Sequence, residues 1–156
     1  MWWCGLYTLT NKEINTLTIE EKQREIADEF NEIDDWLDRY AAIIDAGQDL
    51  PELAPRYKTP EYLIDGCQSS VWLHSYLDDK GHVRYEADSN TSIVKGIIAL
   101  LVSVLDDRTP DEIINADLHF INDIGLGDNL SPYRANGLLA MLKQMKYYAV
   151  AFKGKA

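Results

Sequence analysis

The sequence predicts an α+β fold, with helices packed on one face of a small antiparallel sheet. Three observations lead there. Apolar residues from Thr18 onward recur at helical spacing, residues 71–87 alternate as two strands around a tight turn, and three further helical stretches follow. At 156 residues the chain is long enough to bury a core without cross-links, as one domain over 18–156. The first seventeen residues, MWWCGLYTLTNKEINTL, show no periodicity and are expected to form a loosely ordered extension.

The first helix opens at Thr18-Ile19-Glu20-Glu21, a capping box with Thr18 as N-cap and Glu21 three residues on. Ile26, Phe30, Ile33, Leu37, Tyr40, Ala41 and Ile44 then mark one apolar face of a single long helix, which Gly47 is expected to close. Pro51, Pro55 and Pro60 make the next stretch an extended connector, with a third strand possible at Tyr62–Ile64. The hairpin is Val71–Leu77, a turn at Asp78-Asp79-Lys80-Gly81, then His82–Ala87.

Asp88-Ser89-Asn90 are expected to cap the following helix, whose Ile93, Val94, Ile97, Ile98, Leu100, Leu101, Val104 and Leu105 place it in the middle of the protein. Thr109-Pro110-Asp111-Glu112 opens a short helix with proline in its first turn. Leu130-Ser131-Pro132 opens the last long one, whose inward side is expected to be Leu138, Leu139, Met141, Leu142 and Met145.

Composition narrows the function. A formal net charge of −11 argues against nucleic acid and anionic membrane as partners, since both select basic patches. Two cysteines, Cys4 and Cys67, cannot form a disulfide framework. The apolar start has neither a basic region nor a cleavage site, and no run is long enough to span a bilayer, so a cytoplasmic protein is expected. The three histidines, His74, His82 and His119, form no paired spacing with each other or with a thiol, so no metal site is expected.

Cys67 draws attention because Asp65-Gly66 turns the chain just before it, while Ile64 and Val71-Trp72-Leu73 line it on either side. Three roles fit such a thiol. A hydrolytic nucleophile would need a base, for which His74 and His119 are candidates. A carrier thiol would need to be sheltered from oxidant and then presented to a partner, and burial that shelters it also quiets it. A buried structural cysteine is the third.

Gly66-Cys67-Gln68-Ser69 with Val71-Trp72, Ala87-Asp88-Ser89 with Ile93-Val94-Lys95-Gly96 and Ala99-Leu100-Leu101, and Leu130-Ser131-Pro132 with Arg134 and Asn136-Gly137-Leu138 resemble the SufE family of sulfur-acceptor proteins. The resemblance runs from Thr18 to the C-terminus and implies the fold shared with IscU-type scaffolds. It implies that Cys67 takes a persulfide sulfur from a SufS-like cysteine desulfurase, stimulates that enzyme, and passes the sulfur to a SufB-containing iron–sulfur scaffold.

A carrier of this kind activates a desulfurase rather than acting as a stand-alone enzyme. It needs no cofactor of its own, since the pyridoxal phosphate belongs to the partner. Gly66, Gln68 and Ser69 would support the loop. Arg134, in the first turn of the last helix, would favour an anionic sulfur or make a structural ion pair. The rival functions are a non-catalytic binding or scaffold module for cluster assembly and a cysteine hydrolase. The opening segment with Cys4 has no counterpart in the family pattern.

Overall fold

The computed structural model of the chain describes residues 17–154. The expected extension, Cys4 included, therefore lies outside the described residues apart from Leu17, whose carbonyl accepts a hydrogen bond from Arg108. Helix α1 spans Ile19–Asn31 and begins with the capping box: the Glu21 N–H donates to Thr18 Oγ1 at 3.1 Å, and the Thr18 N–H to Glu21 Oε1 at 3.0 Å. Its core-facing side is Ile26, Ala27 and Phe30.

The single long helix expected from the apolar spacing is two helices. α1 stops at Asn31, and α2 runs from Trp36 to Gln48 with Asp35 as its N-cap, accepting from the Leu37 N–H at 3.0 Å. Arg39 fixes the corner, donating to Ile33 O at 2.6 Å and to Ile124 O at 3.0 Å. Leu37, which the continuous stripe would have buried, is 74% exposed. Gly47 does not end α2, whose C-cap is Asp49. It lies within the helix at a crossing so close that a Cβ there would stand 2.7 Å from Gly96 N.

A connector follows with two short 3-10 turns, Pro55–Tyr57 and Pro60–Tyr62. Strands β1 (Val71–Leu77) and β2 (Val83–Ser89) pair antiparallel, in register from Val71↔Ser89 to Leu77↔Val83. At the turn, Asp78 Oδ1 accepts from the N–H groups of Lys80 and His82, both at 2.9 Å. The possible third strand at 62–64 is reduced to one bridge, Leu63↔Trp72. The turns cover part of the outer face of the sheet, where the Tyr57 ring stacks on His74 at 3.7 Å. The outer edge of β2 is occupied too: the Val83 N–H donates to Arg108 O at 2.7 Å and the Tyr85 N–H to Asp106 Oδ1 at 2.8 Å.

On the inner face, Val71, Leu73, Val83, Tyr85 and Ala87 meet helix α3, Ser92–Leu105, which is buried on almost every side as its composition requires. The residues expected to cap α3 do not. β2 continues through Asp88 and Ser89, the N-cap position falls on Thr91, and Thr91 makes no side-chain cap. Asp88 is held between Lys58 at 2.7 Å and Lys95 at 3.3 Å instead.

Three short helices, α4 (Pro110–Ile114), α5 (Phe120–Asp123) and α6 (Leu126–Asn129), lead to α7, Pro132–Lys153. Leu138, Met141, Met145 and Ala149 of α7 are buried, and the Tyr85 hydroxyl donates to Met145 O at 2.6 Å, tying helix to sheet. Leu139 faces outward, contrary to expectation, because the 3.6-residue period turns it away from the Leu138–Met141–Met145 row. Each buried Leu or Ile of this core contributes on the order of 1.5–3 kcal/mol.

Candidate functional site

The chain between Ile64 and Val71 forms a short loop whose ends are pinned. The Ile64 N–H donates to Val71 O at 2.9 Å. Ser70 is stapled to the turn after β2: its N–H donates to Asn90 Oδ1 at 3.1 Å, and its carbonyl accepts from Ser89 Oγ at 2.8 Å and the Asn90 N–H at 3.3 Å. Thr91 Oγ1 donates to Ser69 Oγ at 2.9 Å. Within the loop Gly66 has φ +94°, a conformation that side-chain-bearing residues rarely adopt, and it lies against α7, where a Cβ would be 3.3 Å from Ala140 Cβ.

That turn delivers Cys67, half-buried, to a cavity of about 270 Å³ between the loop, α3 and the start of α7. Val94, Ile97 and Met141 give it apolar walls; Gln68, Ser69, Ser131, Tyr133, Arg134 and Gly137 complete the lining. The thiol donates a long hydrogen bond to Gly137 O, Sγ to O 3.6 Å. A Cβ at position 137 would stand 3.5 Å from the sulfur, so glycine leaves open the space beside it. Burial pushes the thiol pKa up from its ordinary 9.0, so at neutral pH the group is overwhelmingly protonated.

Of the residues singled out in sequence, Cys67, Gln68, Ser69 and Arg134 line one cavity, and Gly66 shapes the turn that brings Cys67 there. Arg134 sits in the first turn of α7, its N–H donating to Ser131 Oγ at 3.3 Å. Among the described residues no carboxylate lies within ion-pair distance of its guanidinium. Val94, Ile97, Tyr133, Gly137 and Met141 are wall residues to which the sequence assigns no site role: Val94, Ile97 and Met141 read as core, and Val94 and Gly137 stand in the matched family segments.

The histidines are elsewhere. His74 Nδ1 pairs with Glu86 at 2.8 Å, His82 Nδ1 with Asp107 at 2.8 Å, and His119 bridges Asp123 at 2.6 Å and Glu20 at 2.8 Å. None lines the Cys67 cavity, so the thiol–imidazole pair of a cysteine hydrolase is not assembled there. Asp78, His82 and Asp107 do bring three possible ligand atoms within 4.8 Å of one another. Their hydrogen bonds within the hairpin turn and to Asp107 account for that arrangement.

Comparison with known proteins turns this geometry into a family assignment. Residues 24–149, which hold the loop, α3 and nearly all of α7, match the family described as SufE: Fe-S metabolism associated domain. The chain belongs to the SufE family. It is similar to an uncharacterised SufE-like protein of Rhizobium etli, 39% identical over 126 residues that cover 78% of this chain and 85% of that one.

The fold resembles the solution structure of a hypothetical protein from Thermus thermophilus, with a TM-score of 0.71 over 85% of this chain and 96% of the other. At 20% identity that likeness concerns architecture alone. SufE membership links the chain to iron–sulfur metabolism. Among the described residues no helix is long and apolar enough to cross a membrane.

Proposed function

We propose that the chain is a sulfur acceptor: Cys67 takes a sulfane sulfur from the persulfide of a SufS-like cysteine desulfurase and hands it to a SufB-containing scaffold on which iron–sulfur clusters are built. The observation that carries this reading is a half-buried thiol in an apolar-walled cavity with room beside it and no imidazole to drive hydrolysis. A carrier has to hold its cargo, not consume a substrate.

The step balances without an external oxidant or reductant. The Cys67 thiol loses its proton, and the thiolate attacks the outer sulfur of the donor's cysteine persulfide. The donor's S–S bond breaks as the new one forms, and the donor cysteine leaves as thiolate and takes up the proton that Cys67 gave off. The added sulfur extends about 2 Å from Sγ, a reach the cavity accommodates beside Gly137. Arg134 on the wall would balance the charge of the deprotonated persulfide. Because burial keeps the free thiol protonated, the reaction waits on a partner that changes the surroundings of Cys67. Uptake of sulfur would free the desulfurase for another turnover, which is how the chain would stimulate it.

The test is mass spectrometry of the chain after incubation with a cysteine desulfurase and cysteine. A gain of about 32 Da on the Cys67 peptide, absent in Cys67→Ser, is expected. A chain that gains no mass yet still raises desulfurase turnover would point to a non-catalytic binding module.

A further inference from the structure

Helix α7 departs from the acidic average of the chain. The chain has 26 Asp and Glu residues and a net charge of −11, yet the 22 residues of α7 include no carboxylate, while Arg134, Lys143, Lys146 and Lys153 all lie on it. Lys146 is used internally, donating to Ala116 O at 2.7 Å, and Lys153 pairs with Asp111 at 2.6 Å. Arg134 and Lys143 have no carboxylate within ion-pair distance among the described residues.

The outward side of the same helix carries four exposed apolar side chains, with Asn136 and Lys143 among them. Tyr133, Leu139, Tyr147 and Val150 are between 54% and 67% exposed, four of the seven large apolar side chains left open on the described surface. At 1.5 Å per residue they cover about 26 Å of helix. Asn136, Lys143 and Tyr147 stand one and two turns from Ala140, the residue on which Gly66 of the Cys67 loop rests, and Tyr133 lines the cavity itself. The face therefore begins at the nucleophile's loop and runs continuously away from it.

We infer that this face of α7 is the docking surface for the protein that delivers sulfur, and that the matching surface of that protein is an apolar patch bordered by carboxylates. The inference rests on the sulfur-acceptor reading: a donor persulfide attached to a macromolecule can meet Cys67 only if its carrier lies close to the cavity, and α7 contributes Tyr133 to the cavity and carries the exposed apolar side chains beyond it. Two exposed aromatic rings and a leucine supply anchors of the kind that dominate interfaces, and Lys143, a cation on the same face with no carboxylate within ion-pair distance among the described residues, sets the orientation of approach. An anionic bilayer is a poorer match, because the remaining surface carries the chain's negative charge toward it.

The test is desulfurase-driven loading of Cys67, followed by mass as a function of acceptor concentration, for the full chain and for Leu139→Asp, Tyr147→Asp and the control Leu37→Asp on α2. All three sites are exposed, so the fold is retained and circular dichroism checks it. The α7 variants are expected to raise the half-saturating concentration about tenfold or more with little change in maximal rate, the loss of one interface anchor. The Leu37 variant should match the parent. Loading by a small-molecule persulfide should be unchanged in all of them.

Parent-like half-saturation in both α7 variants overturns the docking surface while leaving the acceptor reading intact, as does a parent chain that sediments as a dimer and becomes monomeric on Leu139→Asp. So does parent binding to phosphatidylserine vesicles that the α7 variants lose. If the parent chain takes no sulfur from either donor, the acceptor reading falls and this inference with it.

Discussion

Replacing Gly96 with alanine puts a methyl carbon where the backbone of α2 already stands. An ideal Cβ at this position lies 2.0 Å from Ile43 O, 2.6 Å from Ile43 C and 2.8 Å from Ile43 Cγ2. Ordinary contact begins at 3.4 Å, so the two helices must part by about 1.4 Å at their crossing. No rotamer change relieves this, because the obstacle is main chain.

A gap of about 0.5–1 Å already forfeits a quarter to a half of each dispersion contact, and Ile43 sits at the crossing. Overpacking costs about 1–3 kcal/mol where side chains can adjust. Here the loss exceeds that range, and the helix propensity of alanine returns about 1 kcal/mol. A net destabilisation of about 3 kcal/mol is expected, lowering Tm by roughly 6–12 °C for a chain of this size.

Val94 and Ile97, which wall the Cys67 cavity, lie on the displaced helix, so thiol alkylation should quicken in step. The assay is thermal unfolding by circular dichroism with iodoacetamide kinetics alongside, and Gly127→Ala is the control, since its nearest neighbour is a side-chain oxygen at 3.6 Å. A Gly96→Ala protein melting within about 2 °C of the parent would refute the claim that the crossing is a backbone contact.

Alkylation of Cys67 in the isolated chain should be slow at pH 7 and still climbing above pH 9, because burial raises the pKa and the thiolate is the reactive form; a plateau below pH 8 would contradict the sheltered geometry. Glu29 is 6% exposed, its Oε1 has no hydrogen-bond partner among the described residues, and burial together with the Glu25 charge raises its pKa from 4.5 to about 7. The folded state therefore binds the extra proton between those values, and stability falls as pH rises through that window and is flat above it. Glu29→Gln should stabilise the fold by up to about 3 kcal/mol at pH 8 and leave it nearly unchanged at pH 4, measured by urea unfolding at both; equal effects at the two pH values would sink this account.

Much of the architecture is legible because the signals are local. The hairpin can be read with its strands nearly to the residue, since alternation and the Asp78–Gly81 turn act over a few positions. The capping box at Thr18 and the helix start at Thr109-Pro110 are equally plain. The split between α1 and α2 is hidden because Ile33 and Leu37 keep helical spacing across it, and the decisive residue, Asp35, is a cap whose meaning depends on Arg39 bonding across the turn and to Ile124. Gly47 reads as a terminator because its real neighbour, Gly96, is 49 positions away.

The site divides the same way. The Gly66–Cys67 turn can be read directly, whereas the opposite wall comes from Gly137 and Met141, some 70 residues downstream, and only the assembled fold brings them to the sulfur. Leu139 has the right hydrophobicity for the core and the wrong phase.

The bonds at Ile64 and Ser70 set a tether length. Cys67 lies three steps along the chain from each anchor, and a fully extended chain covers at most about 3.4 Å per residue, so the sulfur's parent carbon can wander no more than about 10 Å from either without breaking them. A partner that is to react at Cys67 must come the rest of the way, on a projecting segment of its own or by settling flush against the rim.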